Sequence, residues 1–190
     1  MGSEGLLLES LCAFYENEAY GQEFVSVVRG ERGISLRSID WFITNYSKKN
    51  NVYYLIHTDA SELPTFDESV GIRSRAFNVH NSYKSQLKAY SKKRFDPFCR
   101  RNRISLEIAG ESVETTIGQL NFFRWAIENL VTEYIFNHKA TIEGDMNTCL
   151  KNIKGKHPKK TGTRKRREEL SRSATRGLSR TNLEVEINFD

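Results

Sequence analysis

The longest apolar helix that the chain predicts is GQLNFFRWAIENLVTEYIFN, from Gly118 to Asn137. Its aromatic and branched side chains are too numerous for a helix exposed to water, so the helix is expected to be buried. We therefore predict that this is the central helix of the fold and that the other elements pack around it.

Three further helical regions are predicted by apolar residues at helical spacing. Residues 6–28 carry two successive apolar sets and predict one or two helices. Residues 35–49 predict a second helix, where the Ser35 hydroxyl is placed to accept a hydrogen bond from a free amide at the helix start. Residues 82–93 predict a third, which begins after Asn81 or the serine that follows it, since both residue types cap helices.

Strands are predicted where β-branched and aromatic residues cluster or alternate with polar ones. The last of them alternates apolar side chains with Glu184, Glu186 and Asn188, a period of two that is typical of an amphipathic strand. Together with the helices, the strands predict a single α+β domain with one small, mainly antiparallel sheet. The predicted strands are residues 52–57, 75–80, 103–109, 112–117 and 183–189.

Composition divides the chain into three regions. Residues 1–150 contain nearly all the large apolar side chains and are predicted to form the globular domain. Residues 151–182 are strongly basic, and they bury too little apolar surface to offset their ordering entropy, so we predict that they are mobile. Residues 183–190 are predicted to return as a strand that docks on the domain.

Charge is concentrated in two zones, although the whole chain has a formal net charge of only +5. From Arg73 to Arg103 there are ten Lys or Arg against one acid, and from Lys151 to Arg180 there are twelve against two. Such zones favour a polyanionic partner, because Lys and Arg displace the counterions of phosphates. We therefore predict that the partner is a nucleic acid, either DNA or RNA.

The first zone is predicted to supply the structured part of a nucleic-acid interface. Its lysines recur every four residues on the predicted helix, and its arginines follow the turn at Pro97, where the helix must end. Tyr90, Phe95 and Phe98 are available to stack on bases, although burial in the core is the commoner use of aromatic residues. Asp96 is interpreted as a turn-capping or ion-paired residue. The predicted phosphate contacts are Lys84, Lys88, Lys92, Lys93, Arg94, Arg100, Arg101 and Arg103.

The second zone contains a short basic run that predicts a mobile second arm. The same composition fits a nuclear import signal, a nucleic-acid-binding arm or a solvated linker, and these alternatives look alike in sequence. The nucleic-acid contacts predicted in this run are Lys159, Lys160, Arg164, Lys165, Arg166 and Arg167.

Motifs for cofactors, metals and known catalytic chemistry are missing from the sequence. The three cysteines are widely spaced, which favours reduced thiols, and no CxxC or HxxxH pair indicates a zinc site. Phosphate-loop, dinucleotide-binding and nucleophile-elbow motifs are missing too. We therefore predict no cofactor, no bound metal and no catalytic residue, with a metal-dependent nuclease or phosphotransfer enzyme kept as an alternative. No apolar run approaches the roughly 18 residues that cross a bilayer, so no transmembrane segment is predicted.

Four blocks of the sequence resemble a family of uncharacterised proteins that recurs in nucleocytoplasmic large DNA viruses. The blocks are, in order, DWFITNYSKKN (Asp40–Asn50), SYKSQLKAYSKKRFDPFCRR (Ser82–Arg101), TTIGQLNFFRWAIEN (Thr115–Asn129) and RREELSRSATRG (Arg166–Gly177). The resemblance covers most of residues 35–190. It implies a viral origin and a place in genome handling or in the virion, and it supplies no catalytic residue.

Charge and resemblance together predict a viral, non-enzymatic nucleic-acid-binding protein that acts in late transcription or genome organisation. The alternative is a virion structural or protein-interaction component, and its partners would be other viral proteins or an import receptor. These functions predict a location in the host cell nucleus, at a cytoplasmic replication site or in the virion.

Overall fold

The structure is a computed structural model that describes residues 2–61 and 63–155. It confirms the α+β class, with several helices around two small antiparallel sheets. The strands are β1 (Tyr53–Thr58), β2 (Pro64–Thr65), β3 (Arg73–Asn78), β4 (Ile104–Ile108) and β5 (Glu111–Thr115). The α-helices are α1 (Ser3–Tyr15), α2 (Glu18–Arg29), α3 (Leu36–Trp41), α4 (Ser47–Lys49), α5 (Val79–Tyr90), α6 (Ile117–Glu128), α7 (Val131–Asn137) and α8 (Lys139–Gly155).

The first predicted helical region contains two helices, α1 and α2, which are separated by a capping residue. The Asn17 side-chain oxygen accepts hydrogen bonds from the backbone amides of Ala19 (3.1 Å) and Tyr20 (3.4 Å). Such a cap satisfies amides that a helix start leaves free, so it fixes where α2 begins. Both helices pack against α6, and the Tyr15 hydroxyl donates a hydrogen bond of 2.7 Å to the Leu120 carbonyl oxygen.

The helix predicted over residues 35–49 is confirmed, and it contains a π-helical turn. The Ser35 hydroxyl accepts a hydrogen bond of 3.0 Å from the Ser38 amide, as the capping pattern predicts. From α3 the chain continues through the π-helical turn at Phe42–Tyr46 into α4. Its buried apolar side chains are Ile39, Trp41, Phe42 and Ile43.

The strands form two separate sheets, whereas the sequence predicts one. In the larger sheet the order is β2–β1–β3, and both pairings are antiparallel. β1 and β3 pair over their full length, from Tyr53 opposite Asn78 to Thr58 opposite Arg73. β2 is not among the five predicted strands, because it has only two residues, one of them a proline, and is too short to form a strand pattern.

β4 and β5 form a two-stranded hairpin of their own, with Ile104 opposite Thr115. The hairpin packs on α2, where Ile108 is buried and Arg29 forms an ion pair with Glu111. It follows the first basic zone directly and leads into α6. The hairpin therefore connects the two segments that form the candidate site described below.

α5 begins and ends earlier than the helix predicted over residues 82–93. Its start is capped by the Asn78 side chain, which accepts a hydrogen bond of 3.0 Å from the Asn81 amide. This cap converts the end of the strand predicted over residues 75–80 into the first turn of the helix. The helix stops at Ser91, whose φ is positive at 57°.

The predicted central helix is present but is divided into α6 and α7. The break lies at Leu130, whose backbone is left-handed with a φ of 52°. Neither glycine nor proline marks this position, so nothing in the sequence predicts the break. Phe122 and Trp125 on α6 pack with Phe95, with ring centroids 5.3–5.8 Å apart. α6 is therefore the central helix of the core.

α8 is a helix that the sequence does not predict. Its buried side chains in the described residues are Ile142 and Met146, one helical turn apart. The Asp145 carboxylate accepts a hydrogen bond of 3.1 Å from Trp41 Nε1 and forms an ion pair of 2.5 Å with Lys49. These polar contacts attach α8 to α3 and α4.

Part of the predicted organisation lies outside the described residues. α8 extends to Gly155, and the rest of the predicted mobile segment, the basic run Lys159–Arg167 and the predicted strand 183–189 all lie beyond the described ranges. Within those ranges, none of the helices combines the length and the apolar character that crossing a membrane requires.

Candidate functional site

The candidate site is built around the loop of residues 91–103, which joins α5 to β4. Pro97 has no amide hydrogen and prevents a helix here. The Asp96 carboxylate accepts a hydrogen bond of 2.9 Å from the Phe98 amide, and the Asp96 carbonyl oxygen accepts one of 3.2 Å from the Cys99 amide. These bonds confirm the predicted turn-capping role of Asp96.

The loop is held against the first turn of α6 by close packing at Gly118. The Asp96 amide donates a hydrogen bond of 3.2 Å to the Gly118 carbonyl oxygen. A Cβ atom at Gly118 would lie 3.2 Å from the Lys93 carbonyl oxygen, which is closer than ordinary van der Waals contact. Further along α6, Asn121 Nδ2 donates a hydrogen bond of 2.9 Å to the Arg94 carbonyl oxygen. The backbone of the loop is therefore fixed to α6 at several points.

A cavity of about 520 Å³, which we call the basic cavity, lies between this loop and the start of α6. Five of the residues that line it are Lys or Arg, and two are acids, so the formal charge of the lining is +3. The cavity therefore favours anions. Its lining consists of Glu4, Lys92, Lys93, Arg94, Asp96, Phe98, Cys99, Arg100, Arg101, Asn102, Thr116, Ile117 and Gly118.

Four of the five cations in the basic cavity are free to meet an external anion. The fifth, Arg94, forms an ion pair of 3.7 Å with Glu4 and donates a hydrogen bond of 3.4 Å to the Ser3 hydroxyl, which attaches it to α1. The other four are exposed, and none of them forms an ion pair with a described residue. These four are Lys92, Lys93, Arg100 and Arg101.

The three other cations predicted in the first zone lie outside the lining of the basic cavity. Lys84 and Lys88 are exposed one turn apart on α5, and Lys92 does not continue their row because it follows the end of the helix. Arg103 forms an ion pair of 2.5 Å with Glu114 on β5. The structure therefore brings five of the eight predicted cations to one cavity.

The aromatic residues near the loop divide between the core and the cavity. Phe95 is 1% exposed and packs against Tyr83 and Trp125, which is a core position. Tyr90 is half-buried, with its ring centroid 6.4 Å from that of Phe95. Phe98 is 39% exposed and lines the basic cavity. Phe98 is therefore the aromatic ring of this cavity that can stack on a base.

Asp40 on α3 interacts electrostatically with charged residues of the basic cavity, although the sequence does not assign it to this site. Asp40 is half-buried, and burial raises the pKa of its carboxyl group. The Lys92 ammonium group opposes this change in pKa, and the Asp96 carboxylate adds to it. Asp40 therefore lies within the electrostatic field of the basic cavity. Because Asp40 is distant from Lys92 along the chain, counting charges in the sequence misses it.

The lining of the basic cavity offers five cations, two carboxylates, one aromatic ring, one thiol and one hydroxyl. Among residues 2–61 and 63–155, no group of three or more His, Cys, Asp or Glu side chains is placed to hold a metal ion. The cysteine in the basic cavity is Cys99, a free thiol whose Sγ lies 3.9 Å from the Lys93 carbonyl oxygen. The arrangement is therefore suited to binding an anion.

Comparison with known proteins identifies the family of this chain. The model of DUF7197, a family of unknown function, matches residues 3–176. The chain belongs to this family. It is 36% identical over 177 residues to an uncharacterized protein, L507, of Acanthamoeba polyphaga mimivirus. That match covers 90% of this chain and 58% of L507, so the chain spans less than two thirds of this relative. No solved structure matches the chain.

The DUF7197 match includes every residue that lines the basic cavity. It also includes the predicted second basic run, Lys159–Arg167. The mimivirus relative confirms the predicted resemblance to proteins of large DNA viruses.

Proposed function

We propose that this DUF7197 protein is a viral, non-enzymatic nucleic-acid-binding protein that acts in late transcription or genome organisation. The observation that supports the proposal is the cluster of four cations in the basic cavity that have no ion-pair partner among the described residues. Phosphates suit such a cluster, because each Lys or Arg that neutralises a phosphate releases its condensed counterion.

The fixed backbone of the loop supports the same function. Because Asp96 and Asn121 attach the loop to α6, less conformational entropy is lost when the cations meet a ligand. Phe98 adds an exposed ring beside the cations, and stacking of a base on an aromatic ring contributes about 1–3 kcal/mol. Lys84 and Lys88 add further exposed positive charge on α5.

Filter binding of a labelled oligonucleotide at several salt concentrations tests the proposal. If each of the four free cations neutralises one phosphate, the plot of log affinity against log salt has a slope of about −3 to −4. The variant K92Q/R100Q/R101Q removes three of these cations and is expected to reduce the magnitude of the slope by about three.

The matched control is R37Q/K48Q/R73Q, which removes three exposed cations outside the basic cavity. This control variant is expected to keep most of the slope of log affinity against log salt. A flat plot for the unmodified chain would contradict phosphate binding. Salt-dependent binding to polyglutamate without binding to the oligonucleotide would favour the alternative, a virion component that binds acidic proteins.

A further inference from the structure

A second cavity, of about 460 Å³, lies between β3, α5 and α6. We call it the amide cavity, because the side chains of Gln86, Asn121 and Asn129 are part of its lining. Its volume is within the range of protein cavities that hold small ligands, about 300–1,000 Å³. None of its residues is a phosphate contact predicted from the sequence, so it is a separate feature from the basic cavity.

Two of the amide side chains have hydrogen-bonding atoms available to a ligand. Asn121 is 5% exposed, and its Nδ2 donates to the Arg94 carbonyl oxygen, but no described residue donates a hydrogen bond to its Oδ1. The half-buried Gln86 amide forms no hydrogen bond with any described residue. An amide offers both an acceptor and donors, which is the combination that recognises the edge of a nucleobase.

Aromatic rings form the apolar part of the same lining. Trp125 Nε1 donates a hydrogen bond of 2.9 Å to the Ser82 hydroxyl, which fixes the orientation of the indole ring. Phe77 and the half-buried Tyr90 also line the cavity. Proteins hold unpaired bases by stacking them on aromatic rings and by hydrogen bonds to their edges. Because Trp125 and Phe77 are only 4% and 5% exposed, Tyr90 is the ring of this cavity that has surface open to a base.

Two guanidinium groups at the amide cavity are held in place by protein acceptors. Arg75 Nη2 donates to the Glu128 carbonyl oxygen (3.1 Å) and to Asn129 Oδ1 (2.9 Å). Arg124 donates from Nε to the Glu128 carboxylate (3.2 Å) and from Nη1 to the Ser10 hydroxyl (2.8 Å). The ion pair with Glu128 neutralises Arg124, whereas Arg75 pairs with no acid among the described residues and keeps N–H donors for a phosphate.

We infer that the amide cavity binds one unpaired nucleotide of a single-stranded nucleic acid. The base is recognised by Gln86, Asn121 and Tyr90, and the phosphate by Arg75. The inference rests on the proposed function and deepens it, because it specifies that the nucleic acid is single-stranded. A base paired in a duplex is not free to enter a cavity. The Asn121 amide also connects the two sites, since its bond to Arg94 reaches the loop of the basic cavity.

Tryptophan fluorescence of the full chain, titrated with adenosine 5′-monophosphate, tests the inference. The chain has two tryptophans, and the variant Trp41→Phe leaves Trp125 as the reporter. We expect a saturable change in emission with this nucleotide and none with ribose 5-phosphate, which lacks the base. No change with the nucleotide, or an equal change with ribose 5-phosphate, would overturn the inference. The unmodified chain is titrated in parallel, so the test does not depend on the folding of the variant.

A pair of glutamine variants assigns the binding to the amide cavity. Gln86→Ala is expected to weaken binding of the nucleotide on the order of tenfold, because a contact to the base edge is lost. Gln22→Ala removes an exposed amide on α2 and is expected to leave binding unchanged. Equal losses of affinity in the two variants would contradict the assignment.

Oligonucleotide binding separates this inference from the proposed function. A single strand is expected to bind more tightly than a duplex of the same sequence, and a preference for the duplex would overturn the inference. Salt-dependent binding of oligonucleotides without binding of the mononucleotide would also overturn it, while the proposed function would stand. Binding of the mononucleotide without salt-dependent binding of oligonucleotides would support the base-binding cavity and contradict the proposed function.

Discussion

The side chain of Asn121 donates a hydrogen bond of 2.9 Å to the carbonyl oxygen of Arg94, which joins the middle of α6 to the loop of the basic cavity. Asn121 is buried and Arg94 is half-buried, so the bond is largely shielded from water. A shielded carbonyl oxygen that loses its donor has few alternatives, and the stability of the loop therefore depends on this contact.

We expect Asn121→Ala to lower the free energy of unfolding by about 1–3 kcal/mol, because the Arg94 carbonyl oxygen is left without its donor. Urea denaturation followed by circular dichroism measures this quantity. The control, Asn81→Ala, removes an exposed amide on α5 and is expected to change stability by less than about 0.5 kcal/mol. Similar values for the two variants would show that the bond does not stabilise the fold.

Gly118→Ala is expected to destabilise the protein by about 1–3 kcal/mol and to weaken oligonucleotide binding. The new Cβ atom would lie 3.1 Å from Cys99 Cβ and 3.2 Å from the Lys93 carbonyl oxygen, so the loop has to move. Gly144→Ala on α8 is the matched control, since nothing lies within 4 Å of its added Cβ atom. Helix propensity predicts that the free energy of unfolding of this control variant rises by about 0.5–1 kcal/mol. Urea denaturation that shows a gain for both variants would contradict the close packing at Gly118.

Asp40→Asn is expected to stabilise the protein at pH 7. Burial raises the pKa of the Asp40 carboxyl group above its value in the unfolded chain, so the folded state binds a proton more readily. Stability is therefore lost as the pH rises through the interval between the two pKa values, and a neutral asparagine avoids this loss. The gain is expected to disappear below about pH 4, where the unfolded carboxyl group is protonated as well.

Asp67→Asn is the control, because the pKa of the Asp67 carboxyl group is shifted in the opposite direction from that of Asp40. Asp67 is exposed, and hydrogen bonds from the Ser69 hydroxyl (2.6 Å) and amide (2.8 Å) lower the pKa of its carboxyl group. Its stabilising contribution is present above the unfolded pKa and is lost as the pH falls, so this substitution is not expected to stabilise the protein at pH 7. Urea denaturation at pH 7 and below pH 4 distinguishes the two variants. If both variants were more stable than the unmodified chain at pH 7, burial of Asp40 would not explain the gain in stability of Asp40→Asn.

Arg100→Gln and Arg103→Gln remove the same charge but are expected to differ in oligonucleotide binding. Arg100 lines the basic cavity and forms no ion pair within the described part of the chain, whereas Arg103 pairs with Glu114. Arg100→Gln is expected to reduce the salt slope by about one, and Arg103→Gln to leave it nearly unchanged. Equal reductions in filter binding would show that the ion pair with Glu114 does not withhold Arg103 from the ligand.

Helices with a capping residue and dense apolar spacing are the part of the fold that the sequence predicts well. The helix that starts after Ser35 and the central helix both meet these conditions. The start of α5 is misplaced because Val79 fits a strand as well as a helix, and the Asn78 cap decides between them. α8 is missed because it buries few apolar side chains, and its contacts through Asp145 reach residues far away in sequence.

For the candidate site, the sequence predicts that the binding residues are cations. It does not predict which of these cations lie together at one cavity. Glu4 and Glu114 neutralise two of the predicted cations; Glu4 is far from Arg94 in sequence, and Glu114 meets Arg103 across the β4–β5 hairpin. The amide cavity has no local signal, because its residues come from four elements and belong to common types. Such groupings depend on tertiary packing, which a pattern along one chain does not encode.

The β4–β5 hairpin connects the two walls of the basic cavity, because it starts just after the loop and ends at Thr115, next to Thr116, which caps α6 and lines the cavity. A two-stranded hairpin is only marginally stable in water, so its ladder is a place where the native structure opens at low cost. Opening of this ladder removes one restraint that holds the loop beside the start of α6, while the hydrogen bonds of Asp96 and Asn121 remain. An anion that bridges the two walls opposes that opening. Hydrogen exchange at the hairpin amides therefore slows when the cavity is occupied.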